Sequence, residues 1–168
     1  YMKEISHVVY QTCETLDFPV PYIFMEPGRS IVGEAGITLY RVGGIKEIPN
    51  IRTYVSVDGG MTDNPRYALY QSEYSVVVAN KANEPAVQKV TIAGRCCESG
   101  DLIQENTMIQ DVEVGDTIAV LSTGAYNYSM ASNYNRLPRP PIVMLRGGNE
   151  SYVAVRRESL EDLCRNDL

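Results

Sequence analysis

Histidine is almost missing from this chain. His7 is the only one in 168 residues, which leaves imidazole-based zinc sites and Ser-His-Asp triads without support within it. Four cysteines are present, Cys13, Cys96, Cys97 and Cys164, with one adjacent pair and no repeated spacing. Neither a disulfide framework nor a CxxC metal ribbon is therefore indicated, and free thiols in a reducing compartment fit better. No apolar run approaches the roughly 18 to 20 residues of a membrane-spanning helix. There is no basic excess either: 15 Lys and Arg stand against 21 Asp and Glu, a net charge of −6 with no charged tail or stripe, so nucleic acid is an unsuitable partner. The N-terminus lacks the basic stub and plain apolar stretch of a signal peptide. A cytoplasmic protein, or a chain already cut, is the expectation.

What is present is an ordinary globular composition, 44% hydrophobic and 21% charged, in a chain too short for a complete (β/α)8 barrel, which takes roughly 200 residues or more. Within residues 2–16 the apolar positions Ile5, Val8, Val9 and Cys13 recur at helical spacing, and predict an amphipathic helix with its apolar stripe toward a core. Pro19 and Pro21 end it. The apolar run 22–25 has the character of a buried strand, leading into the turn Glu26, Pro27, Gly28, Arg29, Ser30 and a helix over 30–36. A glycine turn before a helix can hold an anion on its free N–H groups, although it reads equally as a plain strand-to-helix turn with a solvated arginine. One parallel strand cannot cover both its faces, so residues 1–36 read as the end of a larger domain.

From residue 37 the pattern changes to short β-rich runs, at 37–42, 52–57, 74–79, 87–93, 117–121, 142–145 and 152–155. Turn residues separate them, among them Gly43-Gly44, Asp58-Gly59-Gly60 and Gly147-Gly148. The spacing predicts a mainly β fold, an antiparallel sandwich or barrel over 37–168. A polar stretch of helical character lies near 127–135, and 158–164 reads as a terminal helix. No internal repeat or low-complexity segment is present.

Four places carry chemistry-bearing side chains. Cys97 and Glu98 follow a strand end, where a thiol beside a carboxylate can donate a proton and anchor a ligand; the same residues also fit a small buried side chain at a turn capped by Asp101. Arg66 and Tyr70 sit on one loop, a guanidinium and a phenol suited to a carboxylate, or equally an exposed loop with a packed tyrosine. Tyr126 follows a glycine turn, where it can lie beside a flat ligand or serve the core. Lys81, in a polar turn between strands, reads as a solvated charge and not as a Schiff-base residue.

Taken in order, EPGRSIVGEAG at 26–36, VDGGMTDNPRYALY at 57–70, TIAGRCCESGD at 91–101 and GAYNYSMASNYNRLPRP at 124–140 resemble the diaminopimelate decarboxylase family. This family belongs to the alanine-racemase-like group of pyridoxal-phosphate enzymes. The resemblance implies a subunit with a cofactor barrel followed by a β domain. Residues 1–36 would be the last βα stretch of the barrel and 37–168 the C-terminal β domain. It implies that Glu26, Pro27, Gly28 and Arg29 form the cofactor-phosphate turn, that Arg29, Arg66 and Tyr70 bind the substrate carboxylate, and that Tyr126 touches both cofactor and substrate. Cys97 would be the proton donor and Glu98 the contact to the distal ammonium, both reaching across a homodimer interface; Cys96 stays structural. The activity implied is decarboxylation of meso-2,6-diaminopimelate to L-lysine. The cofactor lysine belongs to the early barrel, so this stretch alone is expected to be inactive. The alternatives are a related decarboxylase of ornithine, arginine or carboxynorspermidine, or a noncatalytic binding module.

Overall fold

The computed structural model describes residues 1–168. Six strands form one sheet: β1 (Thr38–Ile48), β2 (Arg52–Val57), β3 (Val76–Val78), β4 (Gln88–Ala93), β5 (Leu102–Ile109) and β6 (Thr117–Val120), in the spatial order β3-β6-β1-β2-β4-β5. The last two strands, β7 (Ile142–Arg146) and β8 (Glu150–Val155), make a separate antiparallel hairpin. Four α-helices accompany them: α1 (Met2–Thr15), α2 (Arg29–Val32), α3 (Arg66–Tyr70) and α4 (Leu160–Cys164). The mainly β expectation is met.

β1 organises the sheet. Its first half pairs with β6 and its second half with β2, and the register slips between Val42 and Gly44. That slip is a bulge, which bends the strand and lets one chain serve two flanks. The sheet curls far enough for its two end strands to approach one another. There the seam is closed by side chains instead of a backbone ladder. Gln104 Oε1 accepts from the Tyr74 amide at 2.8 Å and Gln110 Oε1 from the Val78 amide at 2.9 Å. The result is a nearly closed barrel in which two amides at the seam find side-chain acceptors in place of a seventh strand.

The core lies inside this curl and is dominated by β-branched side chains; Val55, Val78, Ile92, Ile103, Ile109 and Ile118 are fully enclosed. β-branched residues suit it because they pack stiffly on a pleated surface.

Several expectations need correction. The glycine pair at 43–44 does not end β1 but bulges it. β5 was not anticipated, because Gln104, Glu105 and Asn106 interrupt its apolar pattern; two of these polar groups serve the seam or an ion pair. β2 and β4 run parallel, so the sheet is not purely antiparallel; the long connection through α3 and β3 supplies the crossover that a parallel pair requires. Residues 22–25 form no strand, and Tyr22 and Phe24 are exposed; no strand of the sheet pairs with them. Of the α1 stripe only Cys13 is buried, since no strand or other helix packs along it. The helix expected over 30–36 is one α-turn followed by a 3-10 turn at Gly33–Ala35. The stretch 127–135 holds two 3-10 turns, Tyr128–Met130 and Tyr134–Arg136. The terminal helix does form, with Ser159 and Asp162 closing a reciprocal capping box.

Lys81 is not a solvated charge. Its ammonium pairs with Asp116 at 2.9 Å and donates to the Asp111 carbonyl at 2.9 Å. Asp116 also accepts from Asn80 Nδ2 and the Glu113 amide, both at 2.8 Å. These bonds, Asn80 foremost, hold the Asp116 carboxyl down at about 2. Because the folded value lies below the ordinary one of about 3.9, the stabilisation is complete above that pH and is lost as pH falls through about 2. In urea unfolding at stepped pH, stability should fall less steeply between about pH 4 and 2 in Asp116→Asn than in the wild type; equal slopes would remove Asp116 from the account of acid unfolding.

Candidate functional site

Two loops meet at glycines to build the first group of candidate residues. The Gly36 carbonyl accepts from the Thr123 amide, and the Gly33 carbonyl from the Gly124 amide, both at 2.9 Å. Gly36 and Gly124 lie back to back, so close that a Cβ on Gly124 would overlap the Val32 carbonyl. This contact delivers Tyr126 over Gly28, where its hydroxyl fills the space that a side chain at position 28 would take. Tyr126 sits at φ 61°, a left-handed conformation that costs about 1 kcal/mol or more for a non-glycine residue and persists only where surroundings impose it.

Arg29 is fixed beneath the same tyrosine. Nη1 donates to the Ser122 carbonyl at 2.8 Å and Nη2 to Tyr74 Oη at 3.0 Å. The Tyr74 hydroxyl continues to Asn127 Oδ1 at 3.3 Å. The guanidinium carbon lies 5.5 Å from the Tyr74 ring centre and 5.9 Å from that of Tyr126, within cation–π range.

Arg66 and Tyr70 are not on a loop as expected, because α3 forms there. They are its first and last residues, four apart and therefore on one face, and the Arg66 guanidinium lies 4.6 Å from the Tyr70 ring centre. It also lies 5.6 Å from Tyr126. Tyr126 thus stands within reach of two cations. None of the six ion pairs in the structure involves Arg29 or Arg66. Arg66 Nε and Asn127 Nδ2 are buried with no acceptor. A cluster with two positive charges, orphaned donors and no internal carboxylate has the donors and charge to take an anion. Glu26 and Pro27 are exposed at its edge, and their side chains make no polar contact.

Cys97 and Glu98 form a second, separate group. Both are exposed, and no hydrogen bond or ring contact joins either to Arg29, Arg66 or Tyr126. Glu98 Oε1 accepts only from its own turn, at 3.3 Å from Ser99 Oγ. The half-buried Cys96 thiol is pushed up, by burial first and then by the Asp101 charge, as befits an inert structural cysteine. Beneath both groups, Tyr40 donates to Asp63 at 2.5 Å in the core. Burial pushes the Tyr40 hydroxyl well above its ordinary range and raises the Asp63 carboxyl. Tyr74, which accepts from Arg29, and Asn127, which accepts from Tyr74, carried no signal in the sequence beyond an aromatic at a strand entrance.

Residues 22–124 match the C-terminal sheet domain of the pyridoxal-dependent decarboxylases. The match spans more than half of the chain, and the chain belongs to this family. Among relatives, it is 49% identical over 168 residues to the diaminopimelate decarboxylase of Bacillus subtilis, covering 100% of this chain and 38% of that protein. It is 50% identical over 167 residues to the diaminopimelate decarboxylase of Staphylococcus aureus, covering 99% and 39%. The chain therefore spans well under half the length of these curated relatives. Among solved structures, the diaminopimelate decarboxylase of M. jannaschii in complex with L-lysine superposes with a TM-score of 0.82 at 34% identity, over 96% of this chain and 36% of that one. The enzyme of Helicobacter pylori complexed with L-lysine gives 0.74 at 36% identity, over 83% and 34%.

The glycine contact that seats Tyr126 is directly testable. Gly124→Ala should lower stability by about 1–3 kcal/mol, the range for overpacking a close contact, read as a lower urea midpoint with unchanged m-value. An unchanged midpoint would show that the two loops can part without cost.

Proposed function

We propose that this chain is the C-terminal part of a pyridoxal-phosphate-dependent enzyme that decarboxylates meso-2,6-diaminopimelate to L-lysine. The observation that carries the reading is the pair of guanidiniums without carboxylate partners, Arg29 and Arg66, converging on Tyr126 beside Gly28. The names of the close relatives support it.

The residues fit the cofactor. The turn Glu26, Pro27, Gly28, Arg29 and the Tyr126 hydroxyl, which lies against Gly28, would hold its phosphate, and the orphaned Arg66 Nε supports a need for an anion nearby. Bound there, pyridoxal phosphate supplies the electron sink that loss of CO2 from an amino acid requires. Arg29, Arg66 and Tyr70 orient the substrate carboxylate, the guanidinium fork matching its two oxygens. Glu98 takes the distal ammonium. Cys97 holds the proton that replaces the departing carboxylate, a neutral acid that adds no second fixed charge. The resemblance to the family implies that Cys97 and Glu98 reach the site of a second copy in a homodimer, and the lack of any contact between them and Arg29, Arg66 or Tyr126 within one chain supports that reading. Residues 1–36 belong to the cofactor barrel and 37–168 to the β domain. The resemblance implies that the cofactor lysine belongs to the early barrel, so this chain alone would be inactive; Lys81, tied to Asp116, does not take that role. A cytoplasmic enzyme is the reading that the free thiols support. No helix is long and apolar enough to cross a membrane.

The full-length protein, supplied with pyridoxal phosphate, should release lysine from meso-diaminopimelate and little product from ornithine or arginine. Arg66→Ala should reduce kcat/KM by about 10- to 100-fold, the worth of a charge-assisted hydrogen bond. Cys97→Ala should reduce kcat by about 100-fold or more, the scale of a general acid. Undiminished lysine formation by Cys97→Ala would sink the role given to the thiol, and preference for ornithine would move the protein to another branch of the family.

A further inference from the structure

The segment that carries Cys97 and Glu98 is exposed and has few tertiary anchors, yet two consecutive amides in it are held from different parts of the fold. The Cys96 N–H donates to Asp101 Oδ2 at 2.6 Å. The Cys97 N–H donates to Asn135 Oδ1 at 2.9 Å. Asp101 is buried to 3% exposure, and its other oxygen accepts from the Met61 amide at 2.6 Å, in the turn that leads to Asp63 and Arg66. A Cβ on Gly60 or Gly94 would run into the Asp101 carboxylate, so the acid is clamped between two backbones and cannot swing away. Asn135 holds its side chain from a left-handed backbone position, φ 54°, which asparagine tolerates better than most residues. Its loop is tied in turn to the Met61 turn by the Ser132 amide donating to the Thr62 carbonyl at 2.8 Å.

We infer that Asp101 and Asn135 are positioning residues, a two-point clamp on the amides of Cys96 and Cys97 that sets where the Cys97 thiol is presented. This rests on the reading of Cys97 as proton donor. Neither residue touches the ligand under that reading. Their work is on the backbone, and proton transfer is sensitive to it because a displacement of about 1 Å can cost 100-fold in rate. Asp101 has a second consequence, since one carboxylate ties the segment presented to the partner's site to the turn behind Arg66, which serves the chain's own site.

The experiment uses the full-length, pyridoxal-phosphate-loaded protein and the variants Asp101→Asn, Asn135→Gly and Asn135→Asp. Asparagine at 101 keeps the size but can accept with only one of its two atoms; glycine at 135 removes the acceptor while allowing the left-handed backbone; aspartate at 135 restores an acceptor. Asp101→Asn and Asn135→Gly should each lower kcat by about 10-fold or more with KM within about two-fold, and Asn135→Asp should recover most of the rate. In a Cys97→Ala background neither should lower the rate further, because groups acting through one residue are not additive. Hydrogen exchange supplies a readout independent of activity: a peptide covering 95–100 should exchange faster in both variants while β4 and β5 keep their protection.

Full loss in the Cys97→Ala background, or a change confined to KM, would overturn the clamp while leaving Cys97 as donor. Unchanged turnover in Cys97→Ala alone would overturn the donor reading and the clamp with it. Should Asp101→Asn fail to fold, the exposed Asn135 pair decides: equal rates in Asn135→Gly and Asn135→Asp refute the inference.

Discussion

Two buried carboxylates under one turn hold this structure in its working shape. Asp63 and Asp101 lie on either side of Gly60 and together accept from Tyr40, Thr62 and the amides of Gly60, Met61 and Cys96. Acids this enclosed are costly unless hydrogen-bonded, so the turn, the strand β1 beneath it and the segment after β4 are each committed to one arrangement. Three glycines in that neighbourhood have no room for a side chain: Gly59 meets the Tyr40 ring, and Gly60 and Gly94 meet Asp101. The turn is therefore over-determined, as a platform for functional residues on both its flanks needs to be.

From that platform the candidate residues divide into two groups. Arg29, Arg66, Tyr70 and Tyr126 gather where the short helices α2 and α3 meet the loop after β6, linked by guanidinium-ring contacts and glycine-to-glycine packing. Cys97 and Glu98 project from the far side of the turn with only backbone anchors. A single chain that carries cations without carboxylate partners in one place and a thiol beside a carboxylate in another suits the shared site proposed above. The buried anchor under both groups keeps the two halves in fixed relation within one subunit.

Much of this was legible in the residues themselves. Seven of the eight strands announced themselves through β-branched runs between turn residues, and the four motifs pointed to Glu26, Pro27, Gly28, Arg29, Arg66, Tyr70, Cys97, Glu98 and Tyr126 before any geometry was known. β5 stayed hidden because a strand that closes a seam with Gln104 spends polar residues where period-2 apolarity would have revealed it. Gly43-Gly44 read as a stop because a glycine pair marks a bulge and a turn alike. Lys81 read as a solvated charge because its partner Asp116 is 35 residues away in the sequence and meets it only where β3 pairs with β6. The run 22–25 looked like a buried strand from its apolar content alone, and content does not supply a neighbour to pair with.

The amino-acid sequence by itself determined the β character, the places where the chain turns, and the inventory of cations, thiol and carboxylates available for chemistry, because those follow from local propensity and side-chain type. Only the tertiary structure decided which of them stand together. That Tyr126 lies between Arg29 and Arg66, that two guanidiniums are left without a carboxylate, and that Asp101 and Asn135 grip adjacent amides beside Cys97 depend on contacts between residues 5 to 97 positions apart. Such contacts are set by how a bulged sheet curls and where paired glycines let loops touch, and no local pattern encodes that.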